Sequence, residues 1–232
     1  LEKICKKNNI LLLEDAAESL GSTYYKKKSG SFGSASVFSF HRTKTMTTGE
    51  GGILLLDNKK IYNRCKMLRD HGRGPNTKDL FNEEFSFKYM PSNMQAALGY
   101  SQFKKLPLLL KKKRKIFENY KYYLKEVAEK IYLNEDTKIV RNGLWAIIIV
   151  LKDYNSKTIN KIFNLLKKKK YFPRPLFYPI SLLPAYIKKN KNIIKINNNA
   201  YDTYKGGLVL PSSYLLKKSD IKKICILIKN II

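Results

Sequence analysis

The strongest constraint in this sequence is an apolar run that stops abruptly on charge. Ile10 to Leu13 is continuously apolar, and Glu14 and Asp15 follow at once. A short run without polar alternation predicts a strand buried in a parallel sheet. Val37, Phe38 and Phe40 predict a second short buried strand, and Ile53 to Leu56 a third. The fold class these imply is α/β. In such sheets active sites favour strand ends, where a rigid scaffold meets a loop free to carry chemistry.

Between the second and third strands lies the loop of SVFSFHRTKTMTTGEGG, Ser36 to Gly52. It turns polar and small through Thr43, Thr45, Thr47 and Thr48, and closes on Gly51-Gly52. Its single lysine, Lys44, stands shortly past the end of the strand. The chain is rich in lysine, and most lysines are solvated. Lys44 differs in its surroundings, which are small and uncharged apart from His41, Arg42 and Glu50. Glycines there allow a ligand to approach closely. A desolvated lysine is a usable amine nucleophile for Schiff-base chemistry.

SFHRTKTMTTGEGG resembles the lysine loop of the DegT/DnrJ/EryC1/StrS family of sugar aminotransferases. These are pyridoxal phosphate enzymes that aminate keto sugars carried on nucleotides. LLLEDAAESLGS, LRDHG and FKYMPSNMQAALG resemble family segments as well. The likeness runs from about Leu11 to Gln102 and continues, weaker, through RPLFYP and LVLPSS. It implies a fold-type I transferase: a large domain with a mostly parallel sheet, incomplete here and ending near residue 105, then a long linking helix and a small α+β C-terminal domain over 106–232.

The resemblance also assigns roles. Lys44 would hold pyridoxal 5'-phosphate and act as the catalytic acid and base. Asp15 would pair with the pyridine nitrogen, keeping it protonated and the ring a better electron sink. Ser39 would contact the cofactor phosphate; read without the family, it is a buried strand serine bonded to backbone. The spacings from Asp15 and Ser39 to Lys44 fit the family pattern. Glu18 stands where many members have glutamine near the cofactor's phenolic oxygen. An ionised glutamate cannot donate a hydrogen bond there, so Glu18 is protonated, turned away or part of a proton relay. His41 has two readings, as a cap on the strand end or as a substrate-pocket residue. Met90 stands where some members place a residue reaching the neighbouring subunit's phosphate, and it cannot make that bond. The substrate implied is a nucleotide-linked keto sugar, with an amino donor such as glutamate, in a homodimer.

Composition sets the alternatives. The net charge of +28 invites a polyanion-binding reading. Against it, the lysine blocks fall on predicted helices as solvated faces, and no nucleic-acid motif accompanies them. A sugar dehydratase on the same scaffold would have histidine in place of Lys44. The longest apolar run, Leu144 to Leu151, is far short of the roughly 20 residues that span a bilayer. Leu1 to Asn9 is charged and lacks the apolar segment of a signal peptide. The three cysteines, Cys5, Cys65 and Cys225, show no metal or disulfide spacing, and a cytoplasmic setting is expected. Leu1 to Asn8 reads as the last turns of a helix. The chain is therefore expected to be a C-terminal fragment, without the family's phosphate loop and ring-stacking aromatic, and inactive alone. Further along, a helix is expected from near Asp57 to His71 and another from Met94 to about Lys130, broken at Pro107. Trp145 is expected in the core.

Overall fold

The computed structural model describes residues 1–76, 78, 80–187 and 196–232. The chain divides into two compact units. One comprises Leu1–Leu110 with Thr137–Trp145, the other Lys111–Asp136 with Ala146–Ile232.

The first unit opens on a short helix, α1 (Glu2–Lys7), and then β1 (Leu13–Asp15). A hairpin follows, β2 (Thr23–Tyr24) and β3 (Lys27–Lys28), turned on Tyr25 and Lys26, both at positive φ. That is the geometry a two-residue hairpin loop demands. Next come β4 (Ala35–Ser39), β5 (Gly52–Leu56), α2 (Lys59–Leu68) and α3 (Asn93–Lys104). The sheet order is β1-β4-β5. β1 and β4 are parallel, with Leu13 opposite Ala35 and Asp15 opposite Val37. β5 runs antiparallel to β4, with Ser39 opposite Gly52. A mostly parallel sheet was the expectation. Here the Phe40–Gly51 connection returns without a crossover helix, and a direct return makes the next strand antiparallel.

After Asp15 the chain turns, with Asp15 Oδ1 accepting from Ala17 N–H at 3.1 Å. Two local expectations are corrected. Asn58, not Asp57, caps α2, accepting from Ile61 N–H, and His71 lies beyond its end at φ +57°. The long helix breaks at Lys105. Pro107 sits in the first turn of α4 (Leu106–Leu124), where a missing N–H leaves nothing unsatisfied. The start of α3 is fixed by a capping box between Ser92 and Gln95.

The second unit has an antiparallel sheet in the order β6 (Ile131–Leu133), β8 (Ile147–Leu151), β10 (Gly207–Leu210), β9 (Arg174–Pro175). β7 (Val140–Arg141) belongs to the first unit, where it pairs with β2. Among the described residues, the α-helices of the second unit are the latter part of α4, α5 (Ser156–Lys168), the single turn α6 (Pro184–Ile187), α7 (Asn198–Gly206) and α8 (Lys218–Lys229). Their apolar residues recur at helical spacing: Ile116, Phe117, Tyr120 and Leu124 on α4, Ile159, Ile162 and Leu166 on α5, Ile221, Ile224, Cys225 and Ile228 on α8. All are buried.

The first unit is different. Among the described apolar residues, only Ala16, Met46 and Leu144 of this unit are buried. Leu11 and Leu13 are 74% and 70% exposed, and Ile53, Leu54 and Leu55 are all above 40%. The run expected to be buried on both faces is thus open: only Leu13 of it lies in β1, and none of its side chains is buried.

In the second unit, α4 carries one buried cation. Lys113 Nζ donates to Ser212 O at 2.9 Å and to Ser212 Oγ at 3.2 Å. Burial, with the positive charge of Arg174 nearby, pushes its amine down to about 8. Between that value and the ordinary ~10.4 of an unfolded lysine, the unfolded chain binds the extra proton, so stability rises with pH across this window. Below pH 8 both states carry the charge and the contribution is flat. The stability of the wild type relative to Lys113→Met is therefore expected to climb by up to ~3 kcal/mol from pH 8 to 10.4. Denaturant unfolding of both proteins across that range measures it, and a constant difference would refute it.

Candidate active site

The parallel register of β1 and β4 brings the C-terminal ends of both strands to one edge of the sheet. Asp15 ends β1 and Ser39 ends β4. The segments that leave this edge carry Glu18 on one side and His41 and Lys44 on the other. The edge is held by Glu14, whose carboxylate accepts from the backbone N–H of Gly30, Phe32 and Gly33. Three amide donors on one carboxylate tie the chain ahead of β4 to β1.

Lys44 lies at the close of a turn, its N–H bonded to His41 O at 2.9 Å. Its side chain is only 12% exposed. The amine sits 3.0 Å from Glu18 Oε1 and 4.4 Å from the centre of the Trp145 ring. Trp145 also donates its indole N–H to Thr43 O at 3.0 Å. It therefore grips the backbone beside Lys44 and the end of its side chain together. With Glu18 half-exposed, the ion pair is worth on the order of 1 kcal/mol, and a cation over an indole adds about 0.5–1 kcal/mol at such a site.

The loop around the lysine is bonded throughout. Phe40 N–H donates to Gly51 O, and Phe40 O accepts from Thr48 N–H and Thr47 Oγ1. Gly49 N–H donates to Thr47 Oγ1 at 2.8 Å. His41 Nδ1 lies 3.0 Å from Thr43 Oγ1 and its Nε2 lies 3.5 Å from Glu50 Oε1. Both ring nitrogens thus face residues of its own loop. Ser39 Oγ accepts from His41 N–H at 3.2 Å, which leaves its proton to donate elsewhere.

The structure draws Lys44 and Glu18 into direct contact and sets Asp15 and Ser39 at the same sheet edge. Of the three states open to Glu18, it adopts none by turning away: it faces the lysine. Met90 is exposed. Trp145 is the main residue that sequence reasoning misplaced. It precedes the apolar Ala146 to Leu151 and reads as core, whereas it is half-buried against the lysine loop. The β2–β7 pairing and the Gly143 N–H bond to Ser22 Oγ show that this segment returns to the first unit. Gly143 permits the return, since a Cβ there would lie 2.4 Å from Leu20 O. Glu14 was also missed, although a carboxylate at a strand end was a visible signal.

These residues fit a phosphorylated aromatic aldehyde cofactor. A largely covered amine, an exposed carboxylate and a hydroxyl with a proton to give are carried by segments that end at or leave from one edge of the sheet. Among the described residues, no group of three or more His, Cys, Asp or Glu side chains could hold a metal ion. No helix among them is long and apolar enough to cross a membrane.

A model of the DegT/DnrJ/EryC1/StrS aminotransferase family matches residues 1–229. The chain is 30% identical over 223 residues to a GDP-perosamine synthase of Escherichia coli O157:H7, covering 96% of this chain and 58% of that protein. Among solved structures, Helicobacter pylori PseC, an aminotransferase involved in pseudoaminic acid biosynthesis, superposes with a TM-score of 0.85 at 26% identity. It covers 99% of this chain and 62% of its own. A putative sugar aminotransferase from Streptococcus pneumoniae, in its PMP-form, gives 0.84 at 25% identity over 98% of this chain and 60% of its own. The chain thus spans about 60% of the length of the relatives it matches.

Removing the ring of Trp145 uncovers the amine beneath it. In Trp145→Ala, acylation of Lys44 by a limiting amine reagent is expected to rise about threefold or more relative to an exposed lysine, matching the loss of ~0.5–1 kcal/mol of ring contact. Trp145→Phe keeps a ring but loses the bond to Thr43 O, and an intermediate rate is expected. Peptide mass mapping reads both, and equal rates in all three proteins would refute the contact.

Proposed function

The chain belongs to the DegT/DnrJ/EryC1/StrS aminotransferase family, and on that premise we propose that it is the lysine-bearing part of an enzyme that moves an amino group onto a keto group of a nucleotide-linked deoxysugar, for the synthesis of amino-sugar glycans. The observation that carries this reading is Lys44, sheltered at the sheet edge with its amine between Glu18 and Trp145. The nucleotide-sugar assignment draws on the GDP-perosamine synthase likeness.

Pyridoxal 5'-phosphate, when bound, supplies an electron sink that lets a carbon–hydrogen bond next to nitrogen give up its proton. Everything else falls to the chain's own residues. Lys44 Nζ would hold the cofactor and, once released from it, would serve as base and then acid for the proton that moves. Glu18 and Trp145 keep the released amine close to the reacting centre, so that it returns without a search. Asp15 would accept from the ring N–H of the cofactor and so keep that nitrogen protonated; an ion pair of ordinary length at an effective dielectric near 20 is worth on the order of 4 kcal/mol before desolvation. Ser39 donates its hydroxyl to the phosphate. His41, tied to Thr43 and Glu50, braces the loop and faces the substrate from its rim. Leu1–Leu110 with Thr137–Trp145 serves as the cofactor-holding part, and Lys111–Asp136 with Ala146–Ile232 as the small domain.

Glutamate is the amino donor in this proposal, the enzyme is a cytoplasmic homodimer, and no metal takes part. A dehydratase reading is disfavoured by Lys44 itself, since that branch has histidine there. A polyanion-binding reading is weakened by the Lys111–Lys115 block, because Lys113 turns inward to Ser212.

Two measurements test the proposal. Borohydride treatment of the full-length protein with pyridoxal phosphate should leave a reduced cofactor adduct on Lys44, and an adduct mapped to another lysine would sink the assignment. Asp15→Asn should retain the adduct but lose roughly 100-fold or more in amino transfer, on the scale of a ~3–4 kcal/mol electrostatic contact. Unchanged turnover would reduce Asp15 to a turn cap for Ala17.

A further inference from the structure

One face of α3 lies against the lysine loop at three points. Gln95, Gly99 and Gln102 are spaced i, i+4 and i+7, which places them on a single helical stripe. Gln102 makes a paired contact: its Oε1 accepts from Thr47 N–H at 3.1 Å and its Nε2 donates to Thr47 O at 2.8 Å. A side-chain amide thereby takes the place of a neighbouring strand for one residue of loop. Gln95 divides its amide. Its Oε1 accepts from Ser92 N–H at 2.8 Å, closing the helix cap, while its Nε2 donates to Glu50 O at 3.1 Å. Between them Gly99 is buried, and a Cβ there would lie 2.8 Å from Thr48 Cγ2. Thr48 cannot swing aside freely, because its hydroxyl donates to Glu50 O at 2.7 Å.

We propose that this stripe sets the height of the lysine loop over the sheet edge, with Gln102 as a positioning residue for Lys44 and Gly99 fixing the distance of closest approach. The inference rests on Lys44 being the cofactor lysine, and it explains how that lysine is placed. The glutamines act at residues 47 and 50, downstream of Lys44, whereas Trp145 acts at Thr43 upstream. Thr47 passes the constraint inward, since its hydroxyl donates to Phe40 O at the end of β4. Loss of the Gln102 clamp would leave the backbone of that segment with Trp145 as its described tie from outside the loop, beside the loop's own bonds and the Lys44 pair with Glu18.

Three variants of the full-length protein test this. Gln102→Met removes both bonds at similar size. Gln102→Glu keeps an acceptor for Thr47 N–H and removes the donor to Thr47 O. Gly99→Ala removes no bond, is favoured by helix propensity, and presses on Thr48. Amide exchange at Thr47 should accelerate about tenfold or more in Gln102→Met and be largely rescued in Gln102→Glu. Borohydride fixation of cofactor at Lys44, at subsaturating cofactor, should fall about tenfold in Gln102→Met and several-fold in Gly99→Ala. The helix of Gly99→Ala should meanwhile exchange no faster than wild type. That combination, a sturdier helix with a weaker lysine, is what a merely structural role would not produce. Unaltered Thr47 exchange in Gln102→Met, or unaltered fixation in both Gln102→Met and Gly99→Ala, would overturn the proposal. If even the unaltered protein shows no fixation at Lys44, the cofactor reading fails with it, while exchange at Thr47 still decides whether the clamp exists.

Discussion

The candidate site depends on the parallel ladder between β1 and β4. A parallel pair sends both chains out of the sheet in the same direction, so Asp15 and Ser39 finish at a common edge and the loops bearing Glu18 and Lys44 leave from it. A slip of one residue would turn every side chain of a strand to the opposite face, moving Asp15 away from the edge it shares. β1 is only three residues long, too short to hold register by its own ladder. Glu14 supplies the rest, with three backbone N–H groups on its carboxylate. Ser34 N–H to Leu12 O and Ala16 N–H to Val37 O extend the pairing beyond both ends of the strand. The residue next to Asp15 thus fixes where Asp15 stands.

The two units differ in how far their cores are closed. The second buries its helices' apolar stripes fully, down to Tyr120, whose hydroxyl donates to Pro211 O at 2.7 Å. The first leaves β5 and the residues around β1 largely open. Its order comes instead from polar contacts: the Glu14 cradle, the helix caps at Asn58 and Ser92, and the bonded loop after β4. Apolar surface of that extent calls for a protein cover, and β1 and β5 are both edge strands ready to pair. The candidate site residues therefore lie on the unit with the less buried apolar surface, and hydrogen bonds carry much of their geometry.

Much of this was legible in the residues. Strand β4, the loop after it and the helical run that becomes α3 and α4 follow from local pattern: alternation, small polar residues and helical spacing. The direction of β5 was less visible, because an apolar run such as Ile53 to Leu56 reads the same whichever way it pairs. Burial was misread for Ile10 to Leu13, since an apolar run reports what a strand can bury and not what is present to cover it. Trp145 illustrates the remaining gap. Its neighbours in sequence are core residues of the other unit, and its partners lie about a hundred residues upstream. No local rule connects position 145 with position 43. The same holds for Gln102 and Thr47, whose contact joins a helix to a loop across a long stretch of chain.

Those two distant contacts explain how a loop without regular structure can present a lysine in one place. A lysine side chain has four rotatable carbons and little intrinsic preference for where its amine ends. Its placement must come from the backbone that carries it and from whatever meets its tip. Here the backbone is held on both sides of Lys44, at Thr43 O by Trp145 and at Thr47 by Gln102. The tip is met by the Trp145 ring and the Glu18 carboxylate. Trp145 serves at both places, so loosening it frees the backbone and the amine together. Gln102 and Gly99 act on the backbone alone. The position of Lys44 is thus set twice, at its backbone from both sides and at its amine by a ring and a carboxylate, and each of these contacts comes from a residue outside the loop.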